Sequence, residues 1–107
     1  MRGTQALSFG QTGGFSDTEY EILIDIALGL TDGMIARRRG LSLRSVQNRL
    51  QQIYDKLDVY QPVGPDAKDA RFNLRARAVT TAILRKLLNY GALERAEAEL
   101  HDWLNDQ

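Results

Sequence analysis

Gln47, Asn48 and Gln51 place three side-chain amides within five positions, and Arg44 stands one helical turn before them. Residues 37–54 hold five arginines (Arg37, Arg38, Arg39, Arg44 and Arg49) and no acid. The chemistry open to this set is recognition rather than bond-making. A carboxamide carries a donor and an acceptor side by side, which matches the edge of adenine, and a guanidinium matches the paired acceptors of guanine. Arg44 can reach either a base or a phosphate. The hydroxyls of Thr31 and Ser42, each at the start of a helical pattern where backbone N–H groups are free, suit phosphate oxygens, and Arg37 and Arg38 suit the role of phosphate clamps. A merely solvated helix face more often carries Glu and Lys than three amides among arginines.

Reactive groups are scarce. No cysteine is present, which removes disulfides, thiolate catalysis and cysteine-bound zinc together. His101 is the one histidine; Asp102 lies beside it, and no further ligand type stands at a metal spacing. Neither a glycine-rich phosphate loop nor a Ser/His/Asp set is found. The expectation is a protein that is not an enzyme and uses no metal and no cofactor.

The 107 residues suit one domain with a single small core, and they leave no room for a receiver or ligand-sensing domain. Hydrophobic residues make up 43% and charged residues 26%, a normal balance for a soluble globular chain. No apolar run approaches a membrane span, no secretory signal is visible, and the lack of cysteine fits a reducing cytoplasm, so a cytoplasmic protein without membrane contact is expected. The formal net charge is zero, so only the distribution of charge can argue for a polyanionic partner. That distribution is uneven. A second basic group without acids covers Arg71, Arg75, Arg77, Arg85 and Lys86, and is a further candidate for backbone contacts. The acids gather early (Asp17, Glu19, Glu21, Asp25) and late (Glu94, Glu97, Glu99, Asp102, Asp106).

The elements that must position these residues read as helices throughout. Residues 1–14 (MRGTQALSFGQTGG) lack periodicity and read as a flexible arm or linker, with the folded domain over 15–107. Ser16 and Glu19 form a capping-box pattern before a helix whose apolar stripe is Tyr20, Leu23, Ile24, Ala27 and Leu28, ended by Gly29. Thr31 or Asp32 caps a short second helix that stops at Gly40. Ser42 caps a third, with Val46, Leu50, Ile53 and Leu57 inward and Arg44, Gln47, Asn48, Gln51 and Asp55 outward. Residues 58–69 hold both prolines and read as a loop. A long fourth helix is expected over roughly 70–90, broken by Gly91, and an amphipathic fifth over about 93–104. The fold class is therefore all-α: a helix-turn-helix three-helix core, then a long fourth helix and an amphipathic C-terminal helix.

At this point residues 15–58, FSDTEYEILIDIALGLTDGMIARRRGLSLRSVQNRLQQIYDKLD, resemble the LuxR/NarL (GerE-type) DNA-binding domain. The likeness rests on Phe15-Ser16, Glu21-Ile22-Leu23, Gly29-Leu30-Thr31, Ile35-Ala36, Leu41-Ser42, Ser45-Val46, Ile53-Tyr54, Lys56-Leu57 and Val59, in register without gaps. Later, Arg75-Ala76-Arg77-Ala78-Val79 is similar to the start of that family's fourth helix. The resemblance implies sequence-specific binding of double-stranded DNA in transcription regulation. It puts Gln47 where the family has its main groove-reading Lys, Gln51 at a second contact one turn on, Asn48 between them, and Ser45 at a Thr close to the DNA backbone. It also implies a homodimer built through the fourth helix. Leu87, Tyr90, Leu100, Trp103 and Leu104, with Leu88 and Leu93, supply more apolar surface than that requires, so the extra C-terminal helix is expected to form or extend the interface. An upstream sensor domain or RNA polymerase is a further expected partner. The chain departs from the family at Gln47, at Met34 in place of a Glu, at Asp55 in place of a basic residue, and in roughly 12 residues inserted before the fourth helix. Two other readings stay open. One is the promoter-reading region of a sigma factor acting with RNA polymerase, to which the run VQNRL (46–50) is also similar. The other is a protein-interaction module that has lost DNA binding.

Overall fold

A computed structural model describes residues 14–59 and 73–107, and these are all helix, turn or connection, without a strand among them. Five helices follow in order: α1 Asp17–Ala27, α2 Asp32–Arg39, α3 Leu43–Leu57, α4 Leu74–Leu84 and α5 Tyr90–Asn105. The expected arm (all but Gly14) and most of the expected loop lie outside the described residues.

Each helix starts where a short polar side chain can take up a free backbone N–H. Ser16 and Glu19 make the reciprocal pair expected of a capping box, with Glu19 N–H on Ser16 Oγ at 3.1 Å and Ser16 N–H on Glu19 Oε1 at 2.9 Å. Thr31 caps α2, Ser42 caps α3, Asn73 caps α4 and Asn89 caps α5. Gly40, at φ +67°, ends α2 in the left-handed conformation that glycine adopts without strain.

α1 packs against α3, α4 and α5, while α2 packs on α3, and α3 also meets α4. Because three helices surround it, α1 is buried on more than the expected stripe. Ile22 and Leu23 are fully buried and Ile26 nearly so, while Tyr20, Ile24, Ala27 and Leu28 are only half-buried against the core. The remaining core comes from Ile35 of α2, from Val46, Leu50, Ile53, Tyr54 and Leu57 of α3, from Ala78 and Ala82 of α4, and from Phe15, Leu30, Val59, Leu88 and Leu100. The inward side of α3 is therefore the one that its 4-3-4 spacing indicated.

The C-terminal third differs from expectation. The fourth helix ends at Leu84 rather than near residue 90. Lys86 takes a left-handed φ of +63°, and the N–H groups of Lys86 and Leu87 return to the carbonyls of Ile83 and Ala82 in a Schellman turn. Asn89 then opens α5, with its side chain on Ala92 N–H at 2.8 Å. Gly91 consequently lies inside the first turn of α5 and breaks nothing. A cap and a C-terminal turn outweighed the single glycine, whose helix cost is only about 1 kcal/mol. The hydroxyl of Tyr20 donates to Leu87 O at 3.2 Å and ties this turn back to α1.

Candidate nucleic-acid interface

α3 is a 15-residue helix joined to the eight-residue α2 by the three residues Gly40, Leu41 and Ser42. With its apolar side against α1, α2 and α4, the opposite side is left to solvent: Arg44, Gln47, Asn48, Gln51, Gln52 and Asp55 are all exposed. From Leu43 to Tyr54 the helix has no acid, and Asp55 sits in its last turn. The four residues expected to contact bases thus share one exposed face.

Hydroxyls frame that face. Ser42 Oγ accepts the Ser45 N–H at 3.0 Å, and Thr31 Oγ1 accepts the Met34 N–H at 3.3 Å. Each cap hydroxyl keeps its own proton to donate, so capping and binding an anionic oxygen are compatible. Ser42 and Ser45 line a shallow open hollow with Arg44, Asn48, Arg49 and Gln52. Arg49 and Gln52 were not singled out from sequence. Their signal was there, since Arg49 is one turn after Ser45 and Gln52 one turn after Asn48. The Arg49 Nε is buried and meets no hydrogen-bond acceptor among the described residues.

The arginines at the end of α2 divide. Arg37 is exposed, as a phosphate contact needs. Arg38 is not, and the expectation for it is corrected. Its side chain is only 7% exposed, its Nη1 donates to Asp25 Oδ1 at 2.8 Å, and its guanidinium carbon lies 6.0 Å from the centre of the Trp103 ring. Arg39 joins the same carboxylate through Nε and Nη2, both at 2.8 Å, with Glu21 at 3.7 Å. Asp25 is fully buried, and a buried carboxylate persists as an anion only when its charge is met. Two of the three consecutive arginines therefore fasten α2 to α1. The hydrogen bonds it donates to Asp25 hold the Arg39 guanidinium above its ordinary pKa against the opposing effect of burial, with the charges of Asp25, Glu21 and Glu99 adding to it.

A second internal pair fixes the start of α1 to the end of α3. Lys56 Nζ meets Glu19 Oε1 at 2.6 Å and sits 5.5 Å from the Phe15 ring centre. Burial raises the Glu19 carboxyl, but the Lys56 hydrogen bond, the Ser16 N–H and the Lys56 charge outweigh it, so the group ends below its usual value. Arg75 is likewise committed, to the Asp32 carboxylate and the Leu30 carbonyl, which removes it from the backbone contacts suggested for the second basic group. Arg71 lies outside the described residues.

The residues expected at a dimer interface also separate. Leu100 belongs to the core at 8% exposure, Trp103 packs half-buried against the core and under Arg38, and Leu87 is half-buried against the core. All three make contacts within the chain, and Leu100 is buried there. An amphipathic stripe read alone does not say whether its cover is the same chain or another one. Tyr90 and Leu104 do remain exposed, at 79% and 44%.

No group of metal-ligating side chains occurs among the described residues, and no helix there is long and apolar enough to cross a membrane. No protein-family model, curated protein or solved structure matches this chain.

Proposed function

We propose that this chain binds double-stranded DNA with sequence preference as a regulator of transcription, in the manner of the LuxR/NarL helix-turn-helix domains that its sequence resembles. The observation that carries the reading is the outer face of α3. Arg44, Gln47 and Asn48, with Gln51, stand exposed along an acid-free length of a helix whose other side is the core. A B-form major groove admits an α-helix, and amides and arginines are the side chains that read its edges. In this arrangement α2 crosses the backbone and α3 enters the groove, with Arg44, Gln47, Asn48 and Gln51 toward bases and Thr31, Arg37, Ser42 and Ser45 toward phosphates. Arg49 joins the phosphate contacts, because it shares a hollow with Ser42 and Ser45.

One set of observations favours a different class, a protein-binding module on the same scaffold. The net charge is zero, Arg38 and Arg39 are spent on Asp25, and Asp55 is exposed on the outer side of α3. A sigma-factor-like role would instead make any DNA signal depend on added RNA polymerase.

The deciding experiment is selection from a random double-stranded DNA pool by the purified chain at two salt concentrations. An enriched motif whose retention falls steeply with salt is the expected result. Absence of both enrichment and salt-dependent retention, with and without polymerase, would overturn DNA binding and leave the protein partner.

A further inference from the structure

Leu43 is one of five large hydrophobic residues exposed among the described residues, and the other four, Ile83, Leu84, Tyr90 and Leu104, all lie toward the C-terminus. A single exposed leucine is ordinary on a protein surface, so its 49% exposure argues nothing alone. Its position does. Leu43 is the first residue of α3, directly after the Ser42 cap. It belongs neither to the buried core nor to the partly buried residues packed against it. Gln47 follows at i+4, so the two are neighbours on the helix surface. In a helix-turn-helix, the N-terminal residues of the second helix are the ones that meet base edges. An aliphatic side chain there has no hydrogen bond to offer, and its natural contact in a major groove is a methyl group.

We infer that Leu43 is a specificity residue that packs on the 5-methyl group of a thymine, a role that rests on the DNA-binding reading above. Thymine is the base that shows a methyl group in the major groove of unmodified DNA, and apolar side chains are its partners there. The neighbouring amide fits the same base pairs, since Gln47 is of the type that pairs with the N6 and N7 edge of adenine, and each adenine stands opposite a thymine. Four residues of helix span about 6 Å, less than two base steps of about 3.4 Å, so the thymine lies within about two base pairs of the adenine that Gln47 reads. Arg44, Asn48 and Gln51 end in polar groups, which leaves Leu43 as the residue of this part of α3 suited to a methyl. The contact takes apolar surface of both partners out of water, on the scale of about fourfold in affinity for one buried methyl group.

The test uses the whole chain and duplexes of its selected site in which each thymine in turn is replaced by uracil, which removes the methyl and keeps the base pair. One replacement, within about two base pairs of the position where Gln47→Ala relaxes base preference, is expected to weaken binding about fourfold. Leu43→Ala should weaken the thymine duplex by a similar factor and bind the uracil duplex no worse than the native chain does, because the two changes remove the same contact. Its unfolding midpoint should hold or rise, since the side chain is half exposed and alanine is the better helix former. A selected, salt-dependent site at which no uracil replacement matters would overturn the role of Leu43 and leave DNA binding standing. So would a Leu43→Ala chain that keeps the full preference for thymine over uracil. Failure to select any site, with no salt-dependent retention, would overturn the DNA-binding reading and this contact with it.

Discussion

Asp25 and Arg39 meet through two parallel hydrogen bonds of 2.8 Å, Nε to Oδ2 and Nη2 to Oδ1, with the carboxylate fully buried. Arg38 adds a third at the same length. Removing the carboxylate would leave the Arg38 guanidinium facing inward without its counter-charge, and Arg39 with only Glu21 at 3.7 Å. Asp25→Ala is therefore expected to cost roughly 3–5 kcal/mol, the range for breaking one side of a buried ion pair. Urea unfolding followed by circular dichroism measures it. A loss below about 1 kcal/mol, the scale of an exposed pair, would mean that the trio is solvated in solution.

Glu19 gives the fold a defined acid sensitivity. Its folded carboxyl lies below the ordinary value of 4.5, so the stabilisation from Lys56 and Ser16 is complete above that value. It is lost as pH falls from there through the folded pKa. Relative to Glu19→Gln, the native chain should hold a constant advantage at neutral pH that shrinks below about pH 4.5. Unfolding curves of the two proteins that run parallel from pH 7 to pH 3 would remove the pair as the cause.

Gln47→Ala and Asn48→Ala are each expected to cost about 1–3 kcal/mol on a selected site and to relax base preference there. Both side chains are exposed, so the unfolding midpoint should barely move. Equal losses on selected and random DNA would take the residue out of base reading.

Arg49 should behave differently. On the proposed reading, its place in the hollow with Ser42 and Ser45 puts it among the phosphate contacts. Arg49→Ala is expected to weaken all sequences alike and to lower the slope of log affinity against log salt by about 1. A loss confined to the selected site would move it to base contact instead.

Trp103 is the one tryptophan, and its ring lies against Arg38, half-buried on the core. Its fluorescence therefore reports whether α5 is docked. If α5 is part of the same cooperative unit as α1, the fluorescence and helix signals should share one urea midpoint. An earlier fluorescence transition would mean that α5 detaches before the core melts.

The chain itself determined the first three helices and the inner side of α3. Ser16, Thr31 and Ser42 stand where only short acceptor side chains can serve the first free N–H groups, and Val46, Leu50, Ile53 and Leu57 repeat at the period of a helix with one buried side. The exposure of Arg44, Gln47 and Asn48 followed from the same period. Local pattern does not reach across the fold, and the tertiary structure alone decided the rest. Arg37, Arg38 and Arg39 are identical in sequence terms; their use depends on which of them faces a carboxylate 12 or more residues away, and only burial of Asp25 turned two of them inward. Leu100 and Trp103 read the same as Tyr90 and Leu104 until α5 folded back on α1, burying Leu100, half-burying Trp103 and leaving the other pair exposed. Spacing fixes the side of a helix on which a residue lies, whereas the packing of distant segments fixes what that side meets.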